Sequence, residues 1–76
     1  MIEVVEAVVR NLVDHRDEVQ IDEERHGNRV VFNVRVHEDD RGNIIGRGGG
    51  TAQALRTLLG GLGQRRRLRV DVEILD

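Results

Sequence analysis

The chain has no cysteine, so disulfides and thiolate zinc centres are both excluded. It has no tryptophan or tyrosine and one phenylalanine, Phe32, so ring stacking cannot be a main binding device. There is no serine, and Thr51 and Thr57 have no candidate base close by in sequence, so no nucleophile–base pair is visible. No apolar run approaches the roughly 20 residues needed to span a bilayer. The start passes Glu3 and Glu6 before the first arginine, unlike a signal peptide. The expectation is a cytoplasmic protein with no membrane partner. At 76 residues the chain has room for one domain and one small core.

What is present is charge, unevenly placed. Residues 1–40 hold eleven acids and five arginines, residues 41–70 hold seven arginines and no acid, and residues 71–76 hold three acids. The net charge of −2 therefore hides a purely basic block of thirty residues. Such asymmetry points to a polyanion-binding face on an acidic body. All twelve basic residues are arginine. A chain-wide absence of lysine reads as composition bias, and no function is taken from it.

Hydrophobic spacing then orders the elements. Ile2, Val5, Val9 and Leu12 recur at helical intervals, with Val8 and Val13 alongside, which predicts an amphipathic helix over 2–13. Val19-Gln20-Ile21 predicts a brief edge strand. Asp22-Glu23-Glu24 reads as a solvated turn, and Gly27-Asn28 as a hairpin turn. Val30, Phe32, Val34 and Val36 alternate with Asn33 and Arg35 and give the clearest strand. A short helix is expected from about Glu38 to Ile45, with its acids at the positive end of the helix dipole. Ala52, Leu55, Leu58, Leu59 and Leu62 predict a longer helix from Thr51, ended by Gly60, Gly61 and Gly63. These leucines are expected in the core. Gln64-Arg65-Arg66-Arg67 is read as a basic loop. Leu68, Val70, Val72 and Ile74 share one face of a last strand. The order is helix, strand, strand, helix, glycine loop, helix, strand. It implies an α+β fold with helices packed on one face of a three-stranded sheet.

Four glycines stand within five residues at Gly46-Arg47-Gly48-Gly49-Gly50. A loop of this kind bends sharply or lies against a ligand, and it leads into a helix amino-terminus, where free N–H groups favour anions. The phosphate loop of nucleotide triphosphatases requires a lysine that is absent. The dinucleotide pattern fails because Thr51 and Gln53 stand where glycine is needed. The remaining pattern, G-x-x-G between two helices, is met by Gly46 to Gly49. In the KH module that loop clamps the backbone of about four nucleotides.

Ile44-Ile45-Gly46-Arg47-Gly48-Gly49 resembles the I-G-x-x-G signature of KH domains. The extra helix and strand before the core resemble the bacterial type II arrangement. Val4-Val5-Glu6-Ala7-Val8-Val9, Leu12-Val13-Asp14-His15, Ala54-Leu55-Arg56-Thr57 and the end from Val70 to Asp76 are similar to the small stand-alone KhpA (YlqC) family, over nearly all 76 residues. The resemblance implies a single type II KH domain over 1–76. It implies single-stranded RNA binding without catalysis, in an RNA chaperone or post-transcriptional regulator. It also implies a homodimer, or a heterodimer with a second, KhpB-like KH protein, linked to cell-shape and cell-wall control. No cofactor, metal or small-molecule substrate is expected. Two departures stand out. Arg47 replaces the usual lysine and keeps the charge. Gly50 stands where relatives are often basic, which removes a phosphate contact.

The expected RNA-binding residues are Gly46, Arg47, Gly48, Gly49 and Gly50. The N–H groups of the last three, with Arg47, would hold consecutive phosphates. Ile45 would lie under the bases, with Ile44 beside it. Arg41 and Arg56 would flank the groove, and the arginines 65–67, chiefly Arg65 and Arg66, would border it. His15, His26 and His37 stand eleven apart and read as turn residues rather than metal ligands. An alternative from a different class is a KH-like dimerisation module with little RNA binding.

Overall fold

A computed structural model of the chain describes residues 1–46 and 49–75. Within them the order is α1 (Ile2–Leu12), β1 (Gln20–His26), β2 (Arg29–Arg35), α2 (Arg41–Ile45), α3 (Gly50–Arg65) and β3 (Arg69–Ile74). Short 3-10 turns at Arg16–Glu18 and Glu38–Asp40 precede β1 and α2. β2 is the middle strand, antiparallel to β1 and parallel to β3. A parallel pair needs a crossover, and α2 and α3 provide it. The fold is the predicted α+β arrangement, with a mixed sheet.

The alternation in β2 decides which face is covered. Val30, Phe32, Val34 and Val36 pack with Val5 and Val9 of α1, Ile44 of α2, Leu55 and Leu59 of α3, and Val72 of β3. Phe32 is fully buried at the centre of this cluster. The opposite face of the sheet carries no helix. There the strand register sets His26, Arg29 and Arg69 in one row and Glu24, Val31 and Asp71 in the next.

Three expectations change. β1 runs seven residues, so Asp22-Glu23-Glu24 lie in a strand rather than a turn. Their side chains are exposed, and pairing with β2 holds them extended without an apolar alternation to announce it. The Gly27-Asn28 turn is as predicted, with a positive φ of 64° at Gly27 alone, the position where a type II′ hairpin requires glycine. Second, α3 continues through Gly60, Gly61 and Gly63 to Arg65, so Gln64 and Arg65 are helical rather than loop. Third, Leu58 is half exposed rather than core, and Leu12 is also exposed, while Leu55 and Leu59 are buried.

The end of α3 explains why its glycines do not stop it. Leu68 donates its N–H to the carbonyl of Gly63 at 2.8 Å, and Arg67 donates to that of Gln64 at 3.1 Å. This is the Schellman pattern, whose left-handed residue is usually glycine. Here that residue is Arg67, at φ 57°. A left-handed non-glycine residue costs about 1 kcal/mol. Gly63 serves packing instead: a β-carbon there would lie 2.6 Å from Val70 Cγ2 and 2.8 Å from the Leu68 carbonyl oxygen.

β3 is an edge strand, and its free edge is covered at the middle. The N–H of Val72 donates to Asp71 Oδ1 at 2.8 Å. The carbonyl of Val72 accepts from Arg56 Nε at 3.1 Å and from its second guanidinium nitrogen at 2.9 Å.

The glycines of α3 therefore separate by substitution. Gly61 has open space around it, so Gly61→Ala is expected to raise stability by about 0.5–1 kcal/mol through helix propensity. Gly63→Ala is expected to lower it by about 1–3 kcal/mol through overpacking. Urea unfolding followed by circular dichroism measures both.

Candidate functional site

The glycine loop joins the carboxyl end of α2 to the amino end of α3. Gly46 lies at φ 75° and donates its N–H to the Gly42 carbonyl at 2.8 Å, which closes α2. Gly49 lies at φ 78° and donates to the Gly46 carbonyl at 3.1 Å, which closes a four-residue turn. Both outer glycines of the motif thus occupy left-handed backbone that side chains disfavour. Gly46 is further constrained by contact, since a β-carbon there would lie 2.7 Å from the Thr51 nitrogen and against the Thr51 hydroxyl. Gly49 caps α3 and has no side chain to offer, so no side-chain hydrogen bond caps that helix. An uncapped amino-terminus of a sixteen-residue helix favours an anion through its N–H groups and dipole. Gly49 differs from expectation, because its own N–H is spent inside the turn. Arg47 and Gly48 lie outside the described residues.

The other expected residues divide. Ile45 is 39% exposed beside the loop, whereas Ile44 is 1% exposed and belongs to the core. Arg41 opens α2, about one helical turn before the loop. Arg56 faces β3: besides the Val72 carbonyl it meets Asp71 Oδ1 at 3.5 Å, so its planar fork holds α3 against the sheet edge. Arg65 ends α3, about 24 Å along the helix from the glycine loop at 1.5 Å per residue. Arg66 follows it and lies beside Glu3 and Glu23. The structure therefore gathers Gly46, Gly49, Gly50 and Ile45, keeps Arg41 close, and sets Arg65 and Arg66 at the far end of α3.

The loop's position depends on a buried acid that sequence reasoning missed. Asp40, 1% exposed, stands immediately before α2. Its Oδ1 accepts from the N–H of Asp14 at 3.0 Å, and its Oδ2 accepts from the N–H of His15 at 3.0 Å and from His15 Nδ1 at 2.9 Å. One carboxylate thus ties the segment after α1 to the start of α2. Burial pushes the Asp40 carboxyl up, but hydrogen bonds from Asp14 and His15 outweigh it and hold the group below its ordinary value. The same hydrogen bond, donated to Asp40, raises the His15 imidazole, against partial desolvation.

His37 stacks on His15 with ring centres 3.9 Å apart and planes 12° from parallel. His37 Nδ1 accepts from the N–H of Asp39 at 3.0 Å. His15, His37 and Asp39 offer ligand atoms within 4.8 Å of one another. Parallel rings nevertheless keep their in-plane lone pairs from converging on one ion, and Nδ1 of each ring is already bonded. The cluster suits a structural latch rather than a metal centre.

A mixed three-stranded sheet in this topology, with a G-x-x-G turn between the crossover helices, defines a KH domain. The model of the KhpA/KhpB KH-domain family matches residues 2–74, and the chain belongs to that family. Proteins named RNA-binding protein KhpA are similar to it: that of Mycobacterium tuberculosis is 50% identical over 74 residues, covering 95% of this chain and 89% of the relative. That of Streptomyces coelicolor is 45% identical over 74 residues, with 97% and 92% covered. That of Borreliella burgdorferi is 43% identical over 75 residues, with 99% and 92% covered. No solved structure matches the chain significantly. No described helix is long and apolar enough to cross a membrane.

The latch has a pH signature. A raised His15 contributes stability fully below its unfolded value and loses it as pH rises through the folded value. A lowered Asp40 contributes above its unfolded value and loses it as pH falls through the folded value. The latch is therefore strongest from about pH 4 to 6.5. Urea midpoints of the wild type should fall on going from pH 6 to 8. His15→Gln should flatten that fall; an unchanged slope would remove His15 from the account.

Proposed function

We propose that the chain binds single-stranded RNA by its sugar–phosphate backbone at the Gly46–Gly49 turn, without catalysis. The observation that carries this reading is the pair of left-handed glycines closing a turn on an uncapped helix amino-terminus. Family membership and the names of the relatives support it. Arg47 adds a planar, permanently charged fork suited to phosphate. Gly46 and Gly49 shape the turn, and the amide of Gly50 stands at the open end of α3. Ile45 offers an apolar contact to a base. Without aromatic platforms, base stacking adds little, so affinity is modest and sequence tolerance broad. Phosphate neutralisation makes binding fall steeply with salt. Such a protein suits a cytoplasmic role as an RNA chaperone or post-transcriptional regulator, including control of cell shape and the cell wall.

A second reading, protein pairing, is favoured by one observation. An apolar groove of about 430 Å³ runs between α1 and α3, lined by Val8, Leu12, Ala54 and Leu58 among others. Leu12 and Leu58 are exposed there at 37% and 49%. A second copy, or a KhpB-like KH protein, would cover it. Gly50 and Thr51 also line this groove, so it reaches the start of α3 beside the glycine turn.

Arg47→Asp combined with Gly48→Asp is expected to abolish binding of a fluorescent oligouridylate while leaving the circular dichroism spectrum unchanged. Wild-type affinity in that variant would show that the turn is not the site.

A further inference from the structure

The far end of α3 carries arginines whose placement the fold itself does not favour. Arg67 takes φ 57° at the helix-ending position where glycine is the usual residue. The chain has nine glycines and places none there. Two residues on, Arg69 pairs in register with Arg29 across the parallel strands. Both point to the helix-free face, beside His26 in the same row. Like charges set side by side across strands are destabilising.

Among the described residues, the guanidinium groups of Arg29, Arg67 and Arg69 have no hydrogen bond or ion pair. Arg29 and Arg69 line a surface pocket of about 320 Å³ with Val70 and Asp71. Asp71 lines the same pocket, with its Oδ1 bonded to the Val72 N–H and 3.5 Å from Arg56 Nε, so two guanidinium groups there face one carboxylate already shared with Arg56. The N–H of Arg69 donates to the Asn28 carbonyl at 2.7 Å, so the α3–β3 turn and the β1–β2 hairpin form one rigid end of the molecule. A left-handed arginine and a like-charge pair therefore stand two residues apart in the chain, and an anion would relieve the repulsion within the pair.

We propose that Arg29, Arg67 and Arg69 form a second phosphate-binding site, which holds the same RNA strand after it leaves the glycine turn. This rests on the RNA-binding reading above and extends it from one grip to two. The two sites stand at opposite ends of α3 and on opposite faces of the sheet, so the helix length of about 24 Å is the least separation between them. A stacked strand rises about 3.4 Å per nucleotide, so at least roughly seven nucleotides bridge them. The occupied length is then the four or so nucleotides of the turn plus this bridge, about eleven or more in all. The arginine site reads no base. It adds affinity and salt dependence, and it makes binding depend on RNA length.

The test is fluorescence anisotropy with oligouridylates of five and fifteen nucleotides. Wild-type protein should bind the longer strand about tenfold more tightly than the shorter. Arg29→Gln with Arg69→Gln should remove that gain and leave binding of the five-mer unchanged. The slope of log affinity against log salt for the fifteen-mer should become shallower by about 1.4, at roughly 0.7 for each phosphate no longer neutralised. Arg67→Gly should weaken the fifteen-mer about threefold while raising the melting temperature. Wild-type affinity for the fifteen-mer in these variants overturns the second site and leaves the turn untouched. Equal weakening of both strands also overturns it, as does equally tight, arginine-dependent binding of polyglutamate. If Arg47→Asp with Gly48→Asp instead leaves the five-mer bound as before, the glycine turn fails as the first site. Arginine-dependent binding of the fifteen-mer would then still uphold the second.

Discussion

The position of the glycine turn depends on one buried carboxylate. α2 is only five residues long and cannot hold its own direction. Its start is fixed from outside, by Asp40 accepting two backbone N–H groups and one imidazole N–H from the segment after α1. Its end is fixed by Gly46, whose backbone bends in a way that only glycine takes without strain. Between these points Ile44 is driven into the core. The turn therefore hangs from a short strut with a polar anchor at one end, an apolar anchor at the middle, and no freedom to tilt.

The same economy governs α3. Its first turn is left uncapped, while its last turn closes a complete Schellman motif through an unfavourable residue. Its middle is clipped to β3 by Arg56 and packed through Leu55 and Leu59. The helix is thus held to the sheet at its centre, with open N–H groups at its start and Arg65 at its end. On the two-site proposal, a rod of this kind would measure distance along a bound strand, which a flexible basic tail cannot do.

Much of this was legible in the residues. Alternation in Val30, Phe32, Val34 and Val36 located the central strand and its covered face. The G-x-x-G spacing located the turn and, through the resemblance it carries, the family. The misreadings share a cause: local letters were outweighed by partners distant in sequence. Asp22-Glu23-Glu24 looked like a turn because strand pairing leaves no trace in exposed positions. Gly63 looked like a helix stop, but it is required by the approach of Leu68 and Val70. Leu58 fits the helical stripe, yet it faces the groove beside α1 rather than the core. Asp40 gave no signal at all, because its partners stand 25 and 26 positions away and are mostly backbone. The stacking of His15 on His37 was equally invisible from an eleven-residue spacing.

The two margins of the sheet are closed in different ways. Along β1 a run of acids repels any similar strand. Along β3 both hydrogen-bonding groups of Val72 are already occupied by side chains of the same molecule. Side-chain charge along β1 and the occupied groups of Val72 on β3 both disfavour a neighbouring strand, so growth into ribbon-like aggregates is opposed at each border. Copies gathered along one transcript would then meet through other surfaces, without fusing their sheets.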